Sequence, residues 1–274
     1  MKNFFLISVL LLGLSIYAGI HFNDSNGRLL RIGIECDYAP HNWEEDHNTD
    51  SNVPLINKEG FYAEGYDIQI AKIVAEEIGA KLEVKKIAWD DLIPALARRE
   101  IDAIFSGMLD SHERRQVIDF SDIYEVSKIE YGVLVRKDGS FANAKKMTDF
   151  RGARFVGQED TILDKAIYQL PGVVRLPAVK TVQEMFDKLL NDEVDGIIIG
   201  SEKIDLSVKA NPELTGITFP PERTFIFDYT GVCAGLRKGD IKLKKEINDA
   251  LSGLSQRDRQ RIMDRTIARD WNNI

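Results

Sequence analysis

Four side chains in the first half of the chain have the chemistry to hold a small charged molecule. Arg114 follows a small, polar turn, and its planar guanidinium could bind a carboxylate through two hydrogen bonds. Glu35 and Tyr38 follow the first apolar strand, and Trp89 follows the end of another. An acid beside two aromatic rings suits a cationic group, through charge pairing and cation–π contact. Spacing alone leaves the ordinary alternatives open: solvated charges at Arg114 and Glu35, and rings packed against the core.

A second group of polar residues lies further along the chain. Gln158, Asp160 and Thr161 stand where a predicted strand gives way to a helix. Backbone N–H groups at such a junction favour an anion such as a carboxylate. Ordinary helix capping by Asp160 or Thr161 explains the same residues equally well.

Other catalytic and metal-binding patterns are missing from the sequence. The four histidines (His21, His41, His47 and His112) form no recognised metal spacing, although acidic residues lie between His41 and His47. The sequence contains no nucleophile elbow, phosphate-binding loop or dinucleotide fingerprint. We therefore predict no metal, no cofactor and no catalytic residue.

The bulk composition limits the partners of the chain. Its 274 residues, of which 44% are hydrophobic and 29% charged, suffice for two compact lobes. A net charge of −8 argues against nucleic acid or an anionic membrane surface as a general partner. Cys36 and Cys233 lie in strand-like runs, and the sequence leaves open whether they pair or stay buried as thiols.

The N-terminal segment differs in composition from the rest of the chain. Lys2 precedes an uncharged apolar run over residues 4–20, and small residues lie near Ala18. This pattern predicts an export signal cleaved after Ala18, or an uncleaved membrane anchor, within residues 1–22. Either places the rest of the chain in the periplasm or elsewhere outside the cytoplasm.

An internal repeat predicts the architecture that positions the candidate residues. The segment 101–107 (IDAIFSG) matches 194–200 (VDGIIIG), and each copy follows an amphipathic helix. Two related helix–strand units that end in small turns predict two similar lobes around a cleft, where small molecules bind. In α/β sheets the ligand lies outside the carboxyl ends of the strands, here at Ser106-Gly107 and Gly200-Ser201.

The hydrophobic periodicity predicts an α/β fold with a doubly wound sheet in each lobe. Strands are predicted at 30–34, 82–87, 101–105, 130–135, 150–156, 173–176, 194–199 and 232–236. Helices are predicted at 67–78, 91–99, 161–169, 182–191, 243–254 and 257–268. The polar segment 41–60 is predicted to be a long surface loop.

Several motifs together give the chain a family resemblance. They are GYD at 65–67, WDDLIPAL at 89–96, IDAI at 101–104, SGM at 106–108, ER at 113–114, DFSD at 119–122, FRG at 150–152, VD at 194–195, GLRKG at 235–239 and Trp271. With these motifs the chain resembles the family 3 periplasmic solute-binding proteins, the polar amino-acid receptors of ABC importers. The resemblance covers nearly everything after the N-terminal segment.

The resemblance implies a periplasmic-binding-protein-like, type II Venus-flytrap fold with two chain crossovers. Lobe one would comprise residues 28–136 plus 228–274, and lobe two 137–227. The hinge would lie near 136–138 and 227–230.

The resemblance also implies roles for individual residues. Arg114 falls on the arginine that binds the ligand's α-carboxylate. The other implied contacts are Ser106 and Gly107 in the first lobe, Thr161 and Ile162 in the second, and Glu35, Tyr38 and Trp89 around the ligand side chain. Met108, next to Gly107, and Gln158, at the strand–helix junction, are predicted to line the same site.

Two positions depart from the family pattern. Leu109 replaces a threonine or serine that contacts the ligand, so Leu109→Thr is predicted to tighten binding of an ordinary α-amino acid. Gly200 replaces an acid that pairs with the α-ammonium. Glu202 or Glu35 would have to substitute, or the ligand is not a standard α-amino acid.

The predicted function is a non-enzymatic receptor for a small polar or cationic amino-acid-like ligand. It would act as a monomer and deliver the ligand to the membrane permease of an ABC importer. Two alternatives stay open: a receptor linked to a sensor and specific for a non-standard amine or carboxylate, and an enzyme resembling cyclohexadienyl dehydratase that uses Glu35 or Glu202 as an acid.

Overall fold

The computed structural model describes residues 27–125, 130–220, 223–227 and 229–269, without the side chains of Glu202 and Thr230. The predicted export signal or anchor at 1–22 therefore lies outside the described residues. Within the described ranges, no helix has the length and apolarity that a bilayer span needs.

The described residues form α/β structure throughout. The strands are β1 Leu29–Ile34, β2 Asp37–Tyr38, β3 Asn42–Glu45, β4 Val53–Pro54, β5 Tyr62–Glu64, β6 Lys81–Lys86, β7 Ala103–Ile104, β8 Leu109–Ser111, β9 Ile118–Glu125, β10 Tyr131–Arg136, β11 Arg154–Val156, β12 Val174–Arg175, β13 Gly196–Gly200, β14 Leu214–Ile217 and β15 Tyr229–Arg237. The α-helices are α1 Tyr66–Glu77, α2 Leu92–Ala97, α3 Ile162–Ala166, α4 Val182–Leu190, α5 Ser201–Ala210, α6 Ile241–Ser252 and α7 Gln256–Ile267.

The first lobe is built on a sheet in the order β6-β1-β7-β15-β8, with β9 also paired to β15. β1 runs parallel to β6 and β7, whereas β15 runs antiparallel to β7. Ile32, Ile34, Val84 and Phe105 from this sheet are buried in the core. The parallel strands end at one edge, and this edge carries Glu35 and Ser106, the first residues of the candidate site.

The second lobe is built on a sheet in the order β12-β11-β13-β10-β14. Its central strand β13 is buried throughout, as its apolar sequence predicts. The strand β10 pairs with β13 and β14 in this second sheet. The predicted lobe boundary after residue 136 is therefore wrong by one strand. β9 pairs with β15 in the first sheet and ends at Glu125, whereas β10 begins at Tyr131 and pairs with β13 in the second sheet.

The segment 41–60 is not the loop that its polarity predicts. Its strands β3 and β4 pair with β5 in a small antiparallel sheet that also includes β2. The Asn42 side chain accepts a hydrogen bond from the Cys36 backbone N–H (2.9 Å) and donates one to Asp67 (2.8 Å). Buried hydrogen bonds of this kind hold a polar segment in place where local propensity favours a loop.

The helices lie where the periodicity predicts them, with one addition. Capping boxes begin α4 at Thr181 and α7 at Ser255. Helix α5 is missing from the predicted elements because Ile204, Leu206 and Val208 alternate with polar residues, the pattern of a strand. The helix begins directly after β13 and positions the second-lobe side of the cleft.

Candidate ligand-binding site

Arg114 lies in a crevice between the two lobes. Its guanidinium donates a hydrogen bond to the Leu109 carbonyl of its own lobe and another to the Asp160 carbonyl of the second lobe, both at 3.1 Å. The guanidinium carbon is 5.0 Å from the centre of the Trp89 ring, whose Nε1 also donates to the Asp160 carbonyl at 3.3 Å. Burial lowers the pKa of Arg114 from its ordinary value, although Glu113 and Asp160 oppose this.

The crevice around Arg114 has a volume of about 610 Å³. It is lined by residues from both lobes, among them Trp89, Met108, Thr161, Ile162, Phe227 and Tyr229. A volume of this size accommodates a small organic molecule.

The second-lobe rim of the crevice is held by a hydrogen-bonded turn. The Thr161 hydroxyl donates to the Gln158 carbonyl (2.7 Å) and accepts from the Leu163 backbone N–H (3.1 Å), which makes Thr161 the N-cap of α3. Ile162 packs against the cores of both lobes. Thr161 therefore has the capping role that the sequence allows, at the edge of the same crevice that Arg114 enters.

Glu35 lies deeper between the lobes and is only 5% exposed. Its carboxylate accepts a hydrogen bond from the Gln158 side-chain amide of the second lobe, and its backbone N–H donates to the Ser106 hydroxyl at 3.0 Å. Burial and the nearby Asp37 raise the pKa of Glu35 to about 8, although Gln158, Lys203 and Lys86 oppose this. The side chain is therefore mostly protonated at neutral pH, and it can donate as well as accept a hydrogen bond.

The ring of Tyr38 contacts several residues of this deeper region. Gly107 has a φ of +59°, and a Cβ at this position would lie 3.2 Å from the Tyr38 ring. The ring stacks on His41 with their centres 5.0 Å apart. His41 in turn contacts Glu125, with 2.7 Å between Nε2 and a carboxylate oxygen. Burial lowers the pKa of His41, but Glu125 outweighs it, so that the pKa is raised overall.

Three of the predicted residues contribute less to the crevice than the sequence analysis expected. Met108 lines the Arg114 crevice and is otherwise buried. Leu109 turns its side chain into the hydrophobic core of the first lobe, and only its carbonyl reaches Arg114. Gly200 is buried at the end of β13, opposite Tyr131 and directly before α5.

Lys203 is one of three residues of the deeper region that the sequence analysis did not predict. The Glu202 side chain lies outside the described residues, but the next residue, Lys203, is buried with its ammonium 2.8 Å from the centre of the Tyr38 ring. His41 and Glu125 were missed as well. His41 lies shortly after Tyr38, which the sequence analysis did identify, whereas no pattern in the sequence singles out Glu125.

Neither metal binding nor a disulfide is visible in this part of the molecule. Among the residues described above, no three His, Cys, Asp or Glu side chains are grouped so as to hold a metal ion. Cys36 and Cys233 are free, buried thiols.

Several known proteins are similar to this chain in sequence or in fold. The arginine-binding extracellular protein ArtP of Bacillus subtilis is 25% identical over 231 residues, which cover 84% of this chain and 82% of that protein. An amino acid ABC transporter substrate-binding protein of Streptococcus pneumoniae, solved with L-arginine, has the same fold (TM-score 0.72, 19% identity, 88% of this chain and 95% of that one).

A third similar structure is an ancestral amino-acid-binding protein described as a precursor of cyclohexadienyl dehydratase (TM-score 0.70, 24% identity, 86% of this chain and 94% of that one). These likenesses confirm the predicted two-lobed α/β fold. The model of the bacterial extracellular solute-binding proteins, family 3, matches residues 30–267. With nearly all of both lobes inside that match, the chain belongs to this family.

Proposed function

We propose that this chain is the substrate-binding protein of an ABC importer and holds a small amino-acid-like ligand between its lobes. The observation that carries the proposal is the position of Arg114, whose guanidinium donates to a carbonyl of each lobe. A carboxylate is a stronger acceptor than a carbonyl for a guanidinium. A ligand carboxylate at Arg114 would therefore connect the lobes through the ligand and favour their closure.

The interlobe contacts support a receptor that works by opening and closing. Besides the Arg114 contact, Lys180 pairs with Asp90 across the cleft at 2.7 Å, and Gln158 donates to Glu35. All three join the lobes through side chains that can separate without disturbing either core. Hinge motion between two such lobes is a common response to ligand binding.

The remaining parts of the proposal concern the setting of the protein. The chain acts outside the cytoplasm, exported or anchored by residues 1–22, as a monomer that presents its closed form to a membrane permease. Family membership and the names of similar proteins support the location outside the cytoplasm and the permease partner.

Calorimetry with a panel of amino acids tests the proposal. Arg114→Ala is expected to weaken binding by about 1.5–3 kcal/mol, the range for a hydrogen bond to a charged group. Arg115→Ala is the matched control, because Arg115 pairs with Asp110 instead of entering the crevice. Equal affinities of wild type and Arg114→Ala for the best ligand would refute the role of Arg114.

One observation also favours an enzymatic function. Glu35 is a buried cleft carboxyl whose pKa is raised to about 8, which suits a general acid at neutral pH. An enzyme resembling cyclohexadienyl dehydratase would convert prephenate to phenylpyruvate: the ring carboxylate leaves as carbon dioxide, and the ring hydroxyl, protonated by the acid, leaves as water. Incubation with prephenate and an absorbance measurement of phenylpyruvate decides between the two functions, with Glu35→Gln as the inactive control.

A further inference from the structure

Lys203 brings a positive charge from the second lobe into the first. It lies in α5, one turn after the end of β13, and is only 6% exposed. Its ammonium is 2.8 Å from the centre of the Tyr38 ring. Lysine is rarely buried to this extent unless its charge is compensated.

The surroundings of the ammonium explain why it is tolerated there. The face of a tyrosine ring attracts cations through its quadrupole. The buried Glu35 carboxyl lies close enough that the charge of Lys203 opposes the rise of the Glu35 pKa. An aromatic ring beside an acid is also the arrangement that receives the cationic end of a small ligand, and here the protein's own cation occupies it.

We propose that Lys203 is a specificity-determining residue that disfavours ligands with a cationic end and directs the cleft toward amino-acid-like ligands whose side chain is neutral and polar, or anionic. The proposal rests on the function proposed above. A guanidinium or ammonium of the ligand could reach the Tyr38 ring only by displacing Lys203 or by approaching a like charge in a buried site. A neutral or acidic group meets neither obstacle, and the Lys203 ammonium can donate a hydrogen bond to it.

This specificity differs from what the names of similar proteins suggest. ArtP is named for arginine, and the Streptococcus pneumoniae structure contains L-arginine. At 25% and 19% identity the overall fold is shared, but the side chain that faces Tyr38 need not be.

Lys203 also lines a second cavity. This cavity has a volume of about 320 Å³ and is lined by Lys203 together with Val182, Phe186 and Leu206. Shortening the side chain would therefore change the shape of the site as well as its charge. Lys203→Met removes the charge and keeps most of the volume, so it isolates the electrostatic part of the proposal.

The test is calorimetry of the purified protein with L-arginine and L-lysine, L-glutamine and L-asparagine, and L-glutamate and L-aspartate. For wild type we expect the best neutral or acidic amino acid to bind at least tenfold more tightly than arginine or lysine. In Lys203→Met the ratio of the affinity for that amino acid to the affinity for arginine should fall at least tenfold. Lys203→Arg should keep the wild-type preference. The control is Lys209→Met, a change at an exposed position of the same helix, which should leave the ratio unchanged.

Three results would overturn the inference. They are arginine as the tightest wild-type ligand, an unchanged ratio in Lys203→Met, and an equal change in Lys209→Met. If Lys203→Met fails to fold, as judged by its thermal transition, the wild-type ratio and Lys203→Arg decide. Binding of no panel member to wild type would overturn the proposed function itself, whereas a preference for arginine overturns only the role of Lys203.

Discussion

The buried carboxyl of Glu35 should make the stability of this protein depend on pH in a way that one substitution removes. Burial and Asp37 raise its pKa from an ordinary 4.5 to about 8, against the opposing effects of Gln158, Lys203 and Lys86. The unfolded chain therefore ionises this group at a lower pH than the folded protein does. Since the charged form is disfavoured in the folded state, stability is lost as the pH rises from about 4.5 to about 8.

The size of the effect follows from the width of that interval. Each pH unit between the unfolded and folded pKa values changes the free energy of unfolding by about 1.4 kcal/mol. Between pH 5 and pH 7 the contribution of Glu35 should therefore fall by about 2–3 kcal/mol. Above pH 8 the side chain is ionised in both states, and its contribution should become constant.

The substitution Glu35→Gln isolates the contribution of Glu35 to the pH dependence of the unfolding free energy. Glutamine keeps an oxygen that can accept the Gln158 hydrogen bond, and it does not titrate. Urea unfolding of both proteins at pH 5, 6, 7, 8 and 9 gives the difference in unfolding free energy. We expect wild type to lose about 2–3 kcal/mol relative to the variant between pH 5 and pH 7, and little more above pH 8.

Glu77→Gln, an exposed position at the end of α1, controls for the loss of one negative charge. Parallel curves for wild type and Glu35→Gln from pH 5 to pH 9 would refute the reasoning. They would mean that the Gln158 hydrogen bond and the positive charges of Lys203 and Lys86 outweigh burial. Glu35 would then be a carboxylate at neutral pH, and the enzymatic alternative would lose its general acid.

Three further substitutions test the surroundings of the site. His41→Gln should cost most stability below about pH 6.5 and progressively less as the pH rises through the raised pKa of His41. In urea unfolding the difference from wild type should shrink by up to about 1.4 kcal/mol per pH unit. A difference that does not change with pH would contradict the His41–Glu125 ion pair. Gly107→Ala should cost about 1–2 kcal/mol of stability and also weaken ligand binding, because its Cβ meets the Tyr38 ring, whereas Gly152→Ala, at a φ of +86° with open space around it, should cost stability alone. Thr161→Val should cost about 1 kcal/mol in thermal unfolding through the lost cap of α3, and an unchanged melting temperature would show that the cap is unimportant.

The sequence predicted the parts of this structure that depend on local pattern. The apolar runs 101–105 and 194–199 indicated buried strands, and the regularly spaced apolar residues indicated most of the helices. The position of Arg114 at the crevice could be predicted because its motif lies in one continuous stretch with the strand that precedes it. The lobe boundary was misplaced because the apolar sequence of β10 would fit the sheet of either lobe. Only the pairing of β10 with β13 assigns it to the second lobe.

The contacts within the deeper part of the site could not be predicted from the sequence, for a different reason. Lys203 meets Tyr38 and Gln158 meets Glu35 only because two lobes bring residues far apart in the chain to the same place. The spacing of apolar residues along the chain does not predict such long-range contacts. The alternation of Ile204 and Leu206 also concealed the helix that carries Lys203, so its burial could not be anticipated.

The same long-range contacts indicate how a ligand could control the opening of the cleft. Both the Lys203 ammonium and the Glu35 carboxyl are buried in this structure, and burial of either group is unfavourable unless it is compensated. The Tyr38 ring, the Gln158 amide and the partial protonation of Glu35 supply part of that compensation. A ligand that adds a carboxylate at Arg114 and a polar group at Lys203 would supply more, and its differential affinity for the closed form would shift the equilibrium toward closure. A ligand with a cationic end would add a second positive charge beside Lys203, so it would leave the protein more open than a neutral analogue of the same size.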